Sequence, residues 1–285
     1  GRVMSKRVWI VGPIAWDTVL YLHQYPSAGG FAQGYKKIER PGGSAGNVAL
    51  GLSTTGVETG FVCYLGNDDL GIKLDDLLNS SQIKNLEITR INGPSSHVLV
   101  AIDESGDRTI FGLNESYLSQ VNLDNVQLRA DDIVCFVLWR PYFFNSLKKA
   151  QEAGCTVIVG VEALGDPMVT HADVVIGSRA EFKSDNDLVP FLDRFPTIIV
   201  TNGEHGATRI TREGIDFQPA FPAQTIDTTG AGDSFLAGYL AAYAHGHTEG
   251  KHAMEVGARW AALMVTLPVS IPPDFSELPG FKSLL

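Results

Sequence analysis

The chain predicts an α/β fold built on a mostly parallel sheet covered on both faces, with a small antiparallel β excursion at its edge. Three observations carry that expectation. Short apolar runs recur between Gly, Pro, Asp or Asn residues, stretches of helical length separate them, and two regions abandon this rhythm for alternation. Strands buried on both faces read as continuous hydrophobic runs, and linking them through helices gives right-handed parallel crossovers.

In chain order, Val8-Trp9-Ile10-Val11 is the first strand and stops at Gly12-Pro13. Residues 17–41 alternate, and a turn at Pro41 to Gly43 leads into a helix over 44–53. A strand follows at 61–65, then a helix over 70–80 with Leu70, Leu74, Leu77 and Leu78 on one face. Residues 96–113 carry a hairpin signature: His97 to Ile102, the turn Asp103-Glu104-Ser105-Gly106-Asp107, and Arg108-Thr109-Ile110-Phe111. Further buried strands are expected at 133–138, 156–161, 174–176 and 198–200, with a helix over 145–153. Phe235, Leu236, Tyr239, Leu240 and Tyr243 then recur at helical spacing. The expectation is one domain over 1–285, with segments 17–41 and 96–113 forming a lid on its body.

Composition narrows the function. Of 285 residues 44% are hydrophobic and 19% charged, and 22 basic residues against 32 acidic ones give a net charge of -10. That balance argues against nucleic acid or an anionic membrane surface as the main partner. The longest apolar stretch, 256–271, is interrupted by Arg259 and falls short of the roughly 20 residues of a membrane span. Cys63, Cys135 and Cys155 lie inside apolar runs without CxxC spacing, which suits buried thiols in a reducing compartment. No apolar leader opens the chain, so the expected location is the cytoplasm.

The chemistry concentrates in Asp227-Thr228-Thr229-Gly230-Ala231-Gly232-Asp233-Ser234-Phe235. Gly230, Ala231 and Gly232 sit where a loop becomes a helix, so their N–H groups can crowd at a positive helix end and hold an anion. A carboxylate at Asp233 would repel a bound phosphate. It belongs there if a phosphoryl group arrives between those N–H groups and an attacking hydroxyl whose proton Asp233 accepts. An isolated Gly-x-Gly-Asp reads more readily as a helix cap; the full nonapeptide favours the base.

That nonapeptide closely resembles the C-terminal signature of the ribokinase/PfkB family of small-molecule kinases. Gly42-Gly43-Ser44-Ala45-Gly46-Asn47-Val48-Ala49 is similar to the same family's N-terminal glycine-rich signature, and Gly66-Asn67-Asp68-Asp69-Leu70-Gly71 matches a further family element. The resemblance spans nearly the whole chain. It implies a three-layer α/β/α sandwich, a β lid over the acceptor site, and transfer of the γ-phosphoryl of ATP, with Mg²⁺, to a hydroxymethyl group of a sugar. It makes Asp233 the base and the N–H groups from Gly230 to Asp233 the anion hole. Asp17, Gly42, Gly43 and Asn47 match positions that bind acceptor hydroxyls. Thr201, Gly203 and Gly206 match the turn along the ATP phosphates, and Asp227 a position near a monovalent cation such as K⁺.

Several positions depart from the family pattern. The Asn-x-x-Glu element linked to Mg²⁺ and phosphate appears as Ser178-Arg179-Ala180-Glu181, retaining Glu181 and replacing the Asn with Ser178. Ser44 stands where ribokinases often carry Lys. Trp139-Arg140 occupies a strand end that is acidic in many sugar kinases, so Arg140 either reads an anionic acceptor or pairs with a surface carboxylate. A nucleoside acceptor is the alternative, favoured if Phe31 or Tyr35 of the lid stacks on a base; a non-catalytic ligand sensor is another. The partners expected are a small sugar or nucleoside and, through the lid, a second copy of the chain. Gly250-Lys251-His252 does not complete a P-loop, and no Gly-x-Gly-x-x-Gly follows the first strand. His245, His247 and His252 straddle a helix end and read as solvated polar residues rather than a metal cluster.

Overall fold

The computed structural model describes residues 4–179, 182 and 184–285. Its larger sheet has nine strands: β1 (Val8–Val11), β4 (Thr59–Gly66), β5 (Asn85–Ile91), β8 (Ile133–Phe136), β9 (Thr156–Gly160), β10 (Val174–Ser178), β11 (Thr197–Thr201), β12 (Ala207–Thr211) and β13 (Gly214–Gln218). Their spatial order is β13-β12-β11-β10-β9-β8-β1-β4-β5, parallel from β5 to β11, with an antiparallel pair at the far edge. Alternation along each strand feeds two cores. Val8 and Ile10 of β1 join one cluster, while Trp9 and Val11 join the other.

On the first face pack α1 (Ser44–Leu52), α2 (Asp69–Asn79), α4 (Ala231–Ala244) and α5 (Lys251–Met264). The α2 pattern turns out as its leucine spacing predicts, with Leu74 and Leu78 fully buried. Burying each such side chain contributes about 1.5–3 kcal/mol. The opposite face is covered by α3 (Phe144–Glu152) and several short 3₁₀ turns.

The second sheet has four strands, in the order β3 (Gly34–Gly42), β2 (Ala15–Leu22), β6 (His97–Ile102), β7 (Arg108–Leu113). These fall in the two alternating segments, but the sheet is mixed rather than wholly antiparallel. The outer pairs are antiparallel, and the central pair β2–β6 is parallel. The reason is connectivity: β2 follows β1 and β6 follows β5, strands of one parallel sheet, so both leave its same edge and run outward together. No helix among the described residues is long and apolar enough to cross a membrane, and all three cysteines are buried and free.

Candidate active site

The chain reverses its direction of sheet growth between β1 and β8, the kind of switch point where open α/β sheets bind ligands at the strands' carboxyl ends. Two glycine-rich segments meet there. β3 ends at Gly42, and Gly43 caps α1, which carries Asn47 at 4% exposure. Asn47 Nδ2 donates to Asp233 Oδ2 at 2.9 Å. Burial pushes the Asp233 carboxyl up to about 7; the Asn47 hydrogen bond works against the rise and the charge of Asp17 adds to it.

Asp233 lies in the first turn of α4, and Gly230, at φ 80°, is the residue that turns the chain into that helix. A Cβ at Gly230 would also press on the Ser270 carbonyl oxygen at 2.5 Å, so glycine is required twice over. Ser234 N bonds Gly230 O at 2.9 Å, and Ala231 N turns back to Thr228 O at 3.2 Å. The N–H groups of Gly232 and Asp233, in the first turn, have no helical carbonyl to reach. Of the N–H groups expected to hold an anion over Gly230 to Asp233, that of Ala231 bonds Thr228 O here.

Asp17 of β2 faces Arg40 of β3 in register. The bare backbone of Gly42 lies so close to the Asp17 carboxyl that any side chain there would overlap it. Burial lifts Asp17 to about 6, opposed by the positive charges of Arg40 and His97. Arg40 Nε, on the residue paired with Asp17, and Ser44 Oγ and Asn47 Oδ1 of α1 are buried without a hydrogen-bond partner in the protein. Buried polar groups normally find partners. A set that mixes carboxylate, amide, hydroxyl and guanidinium suits a polyol, which donates and accepts at every hydroxyl.

Asp227 joins an ion-pair network with the second sheet. Its Oδ2 accepts from Arg40 Nη1 at 3.1 Å and its Oδ1 from Arg108 Nη2 at 2.9 Å, while Thr229 N also donates to Oδ1 at 2.9 Å. Burial alone would raise this carboxyl, but the hydrogen bonds of Thr229 and Arg40 hold it below its usual range. Two guanidinium groups thus neutralise this carboxylate within the protein.

On the nucleotide side, Ser178 ends β10 beside Thr201 of β11, both at the carboxyl edge. Asn202 N bonds Gly206 O at 2.8 Å, closing a tight turn that contains Gly203 and Gly206. Glu181 lies outside the described residues. Arg140 bonds Glu115 Oε1 at 3.3 Å and the Trp139 carbonyl at 3.0 Å, so of its two expectations it follows the surface pair. Tyr35 stacks on His23 at 4.6 Å, and Phe31 is 84% exposed.

Arg40 and Arg108 are the residues that sequence reasoning missed. A signal existed for Arg40 alone, which directly precedes the Pro41-Gly42-Gly43 turn. The Gly66 to Gly71 element has a legible structural job: Asp68 caps α2 through Gly71 N and also accepts from Ser95 N and Oγ at 2.9 and 2.7 Å. It thereby pins the segment that leads into β6.

Residues 36–274 match the pfkB family carbohydrate kinase. An ATP-dependent ribose-1-phosphate kinase of Halopiger xanaduensis is 29% identical over 256 residues, covering 83% of this chain and 84% of that protein. A ribokinase of Dictyostelium discoideum is 23% identical over 306 residues, 92% of this chain and 95% of its own. Among solved structures, the nucleoside kinase of Methanocaldococcus jannaschii superposes with a TM-score of 0.80 at 23% identity, covering 100% of this chain and 98% of that one. Arabidopsis thaliana ribokinase, complexed with ribose and ATP, gives 0.75 at 19% identity over 99% and 98%. The two sheets, the meeting of both glycine-rich segments at Asp233 and the match over most of its length together establish that this chain belongs to the pfkB family of carbohydrate kinases.

Proposed function

We propose that the chain transfers the γ-phosphoryl group of ATP to a primary hydroxyl of a sugar or sugar-like acceptor, with Asp233 as general base. The carrying observation is the Asn47–Asp233 bond at the start of α4, which sets a carboxyl of pKa about 7 beside unpaired helix-start N–H groups. Asp17 and Asn47 would bind acceptor hydroxyls against the backbone of Gly42 and Gly43. The reacting hydroxyl would give its proton to Asp233 as its oxygen bonds phosphorus and the bond to the departing ADP breaks. Gly232 and Asp233 N–H groups would stabilise charge on the phosphoryl oxygens.

ATP would lie along the carboxyl edge past Ser178, Thr201, Gly203 and Gly206. Among the described residues no three His, Cys, Asp or Glu side chains converge, which suits Mg²⁺ carried mainly by phosphates and water. Ser178, exposed at the strand end, fits a contact through such a water, with Glu181 as its companion; when bound, the ion neutralises phosphate charge. A nucleoside is the second reading: Tyr35 already stacks on His23, but Phe31 is 84% exposed and free to stack on a base.

Leu20, Leu99, Phe111 and Leu113 share the outer lid face at 39, 37, 56 and 44% exposure, and a second copy of the chain would cover them. Three buried thiols suit a reducing cytoplasm.

The test is ADP release from ATP and Mg²⁺ across ribose, ribose 1-phosphate, fructose and nucleosides. Acceptor-dependent ADP from wild type and none from Asp233→Asn is expected; equal release by both refutes the assignment of the base.

A further inference from the structure

We propose that Asn202-Gly203 is a site of spontaneous deamidation that ages the nucleotide turn and that a bound nucleotide protects; the protection rests on the phosphoryl-transfer reading above. The dipeptide Asn-Gly occurs twice in the chain, at 92–93 and at 202–203. Glycine is the neighbour that makes an asparagine labile, because it has no side chain to shield its nitrogen and its backbone bends freely. Both asparagines are exposed, yet the fold holds them differently. Asn92 Oδ1 accepts from Asn67 Nδ2 at 2.7 Å, Gly93 O accepts from Asn67 N at 3.0 Å, and a Cβ on Gly93 would press on the Tyr117 hydroxyl at 2.7 Å. That pair is fixed at its amide, at its main chain and by packing.

The second pair is held by its backbone alone. Among the described residues Asn202 makes only main-chain hydrogen bonds, its N–H to Gly206 O at 2.8 Å and its carbonyl from His205 N at 2.9 Å. Gly203 gives its carbonyl to Gly206 N at 3.1 Å, while its own N–H has no backbone acceptor among the described residues. Gly203 sits at φ 53°, and a Cβ built on it would meet nothing within 4 Å. The side-chain amide and the nitrogen that attacks it are therefore both uncommitted.

The step uses only water. Gly203 N gives up its proton and attacks Asn202 Cγ; the new N–Cγ bond forms, the bond from Cγ to the amide nitrogen breaks, and that nitrogen takes the proton and leaves as ammonia. Water then opens the five-membered imide at either carbonyl carbon, giving aspartate or isoaspartate, and the acid's proton passes to the ammonia.

Either product puts a carboxylate on the turn along which the phosphates of ATP would lie, and like charges repel there. Isoaspartate also runs the main chain through Cβ, lengthening the loop that Asn202 N and Gly206 O close. The attack requires Asn202 to rotate away from its ψ of 46°, a local opening of the turn. A nucleotide whose phosphates engage the Gly203 N–H keeps the turn closed and occupies the attacking nitrogen. Protein loaded with nucleotide is spared, and idle protein ages.

The test is to hold the purified chain for days at mildly alkaline pH, with and without saturating AMP-PNP and Mg²⁺, and to map tryptic peptides by mass. Peptide 195–209 contains Asn202 as its one asparagine and peptide 91–108 contains Asn92 as its one, so each mass gain of one dalton has a single origin. Without nucleotide, 195–209 is expected to gain mass severalfold faster than 91–108; AMP-PNP should slow the first and leave the second unchanged. In calorimetric titration Asn202→Asp should weaken AMP-PNP about tenfold. Asn202→Ser should match fresh wild type and keep that affinity through the incubation in which wild type loses it. Equal rates for the two peptides, an Asn202→Asp variant that binds as wild type does, or AMP-PNP that binds without slowing the gain would each overturn the proposal. Failure of AMP-PNP to bind fresh wild type would instead sink the phosphoryl-transfer reading, while the mass gain, read without nucleotide, still decides whether Asn202 is the labile site.

Discussion

Asn47 Nδ2 donates to Asp233 Oδ2 at 2.9 Å across 186 residues of sequence, so one hydrogen bond joins α1 to the start of α4, where the proposed base stands. As the proposed base, Asp233 would work only as the carboxylate, and with its pKa raised to about 7 kcat should climb with pH below that value and level off above it. Asn47 stabilises the charged form, so Asn47→Ala should move the rising limb to higher pH. Asp233→Asn should lower kcat by roughly 10² to 10⁴-fold. A limb that stays in place in the Asn47 variant contradicts the pairing.

The same carboxyl makes a stability prediction. Its folded-state pKa is raised from 3.8 to about 7, so between those values the folded chain binds a proton that the unfolded chain has released. Stability from this group is present at low pH and declines as pH rises through that window. Asp233→Asn cannot ionise and should therefore melt higher than wild type at pH 8, with the difference vanishing near pH 4, the unfolded-state value. Melting curves at both pH values check this; a difference that grows towards low pH would reverse the sign and reject it.

Asp17 should govern the acceptor and leave the nucleotide alone. Charge-assisted hydrogen bonds contribute about 1.5–3 kcal/mol each, so Asp17→Ala should raise the acceptor KM by about tenfold or more at unchanged ATP KM. Gly42→Ala should act in the same way, since its methyl group would enter the space of the Asp17 carboxyl. Steady-state kinetics with each substrate varied in turn decides, and a change confined to ATP would move Asp17 out of the acceptor site.

The outer lid face gives a fourth expectation. Leu99→Glu together with Phe111→Glu should convert a wild-type dimer into monomers in light scattering. A monomeric wild type at the concentrations used for assay removes the proposed interface.

Much of this was legible in the sequence for identifiable reasons. Strands β1, β4, β8, β9, β10 and β11 are buried on both faces, and that environment demands unbroken apolar runs. The glycine segments were legible because a left-handed turn at Gly230 and a close approach at Gly42 leave few alternatives. β5 and β13 escaped notice because edge strands keep polar residues on their exposed side, and β12, next to the edge, because Thr208, Arg209 and Thr211 break its apolar run. So did α5, whose apolar stretch was noticed only as too short for a membrane and interrupted by Arg259. The partners of Asp227 were hidden for another reason: nothing in a one-dimensional pattern brings residues 40, 108 and 227 together. Only the parallel seam of the lid does so.

That seam also bears on how the protein is made. Thr18 and His97, which bond across it at 2.8 Å, are separated by 79 residues. Neither lid hairpin can find the other until β4, α2 and β5 have been laid down between them, and long loops close at an entropic cost that local hairpins avoid. The β2–β6 seam thus forms only after β5 has been made. On a chain emerging from the ribosome, Val19 and Leu20 of β2 would lack their partner strand until residues 97–102 have been made.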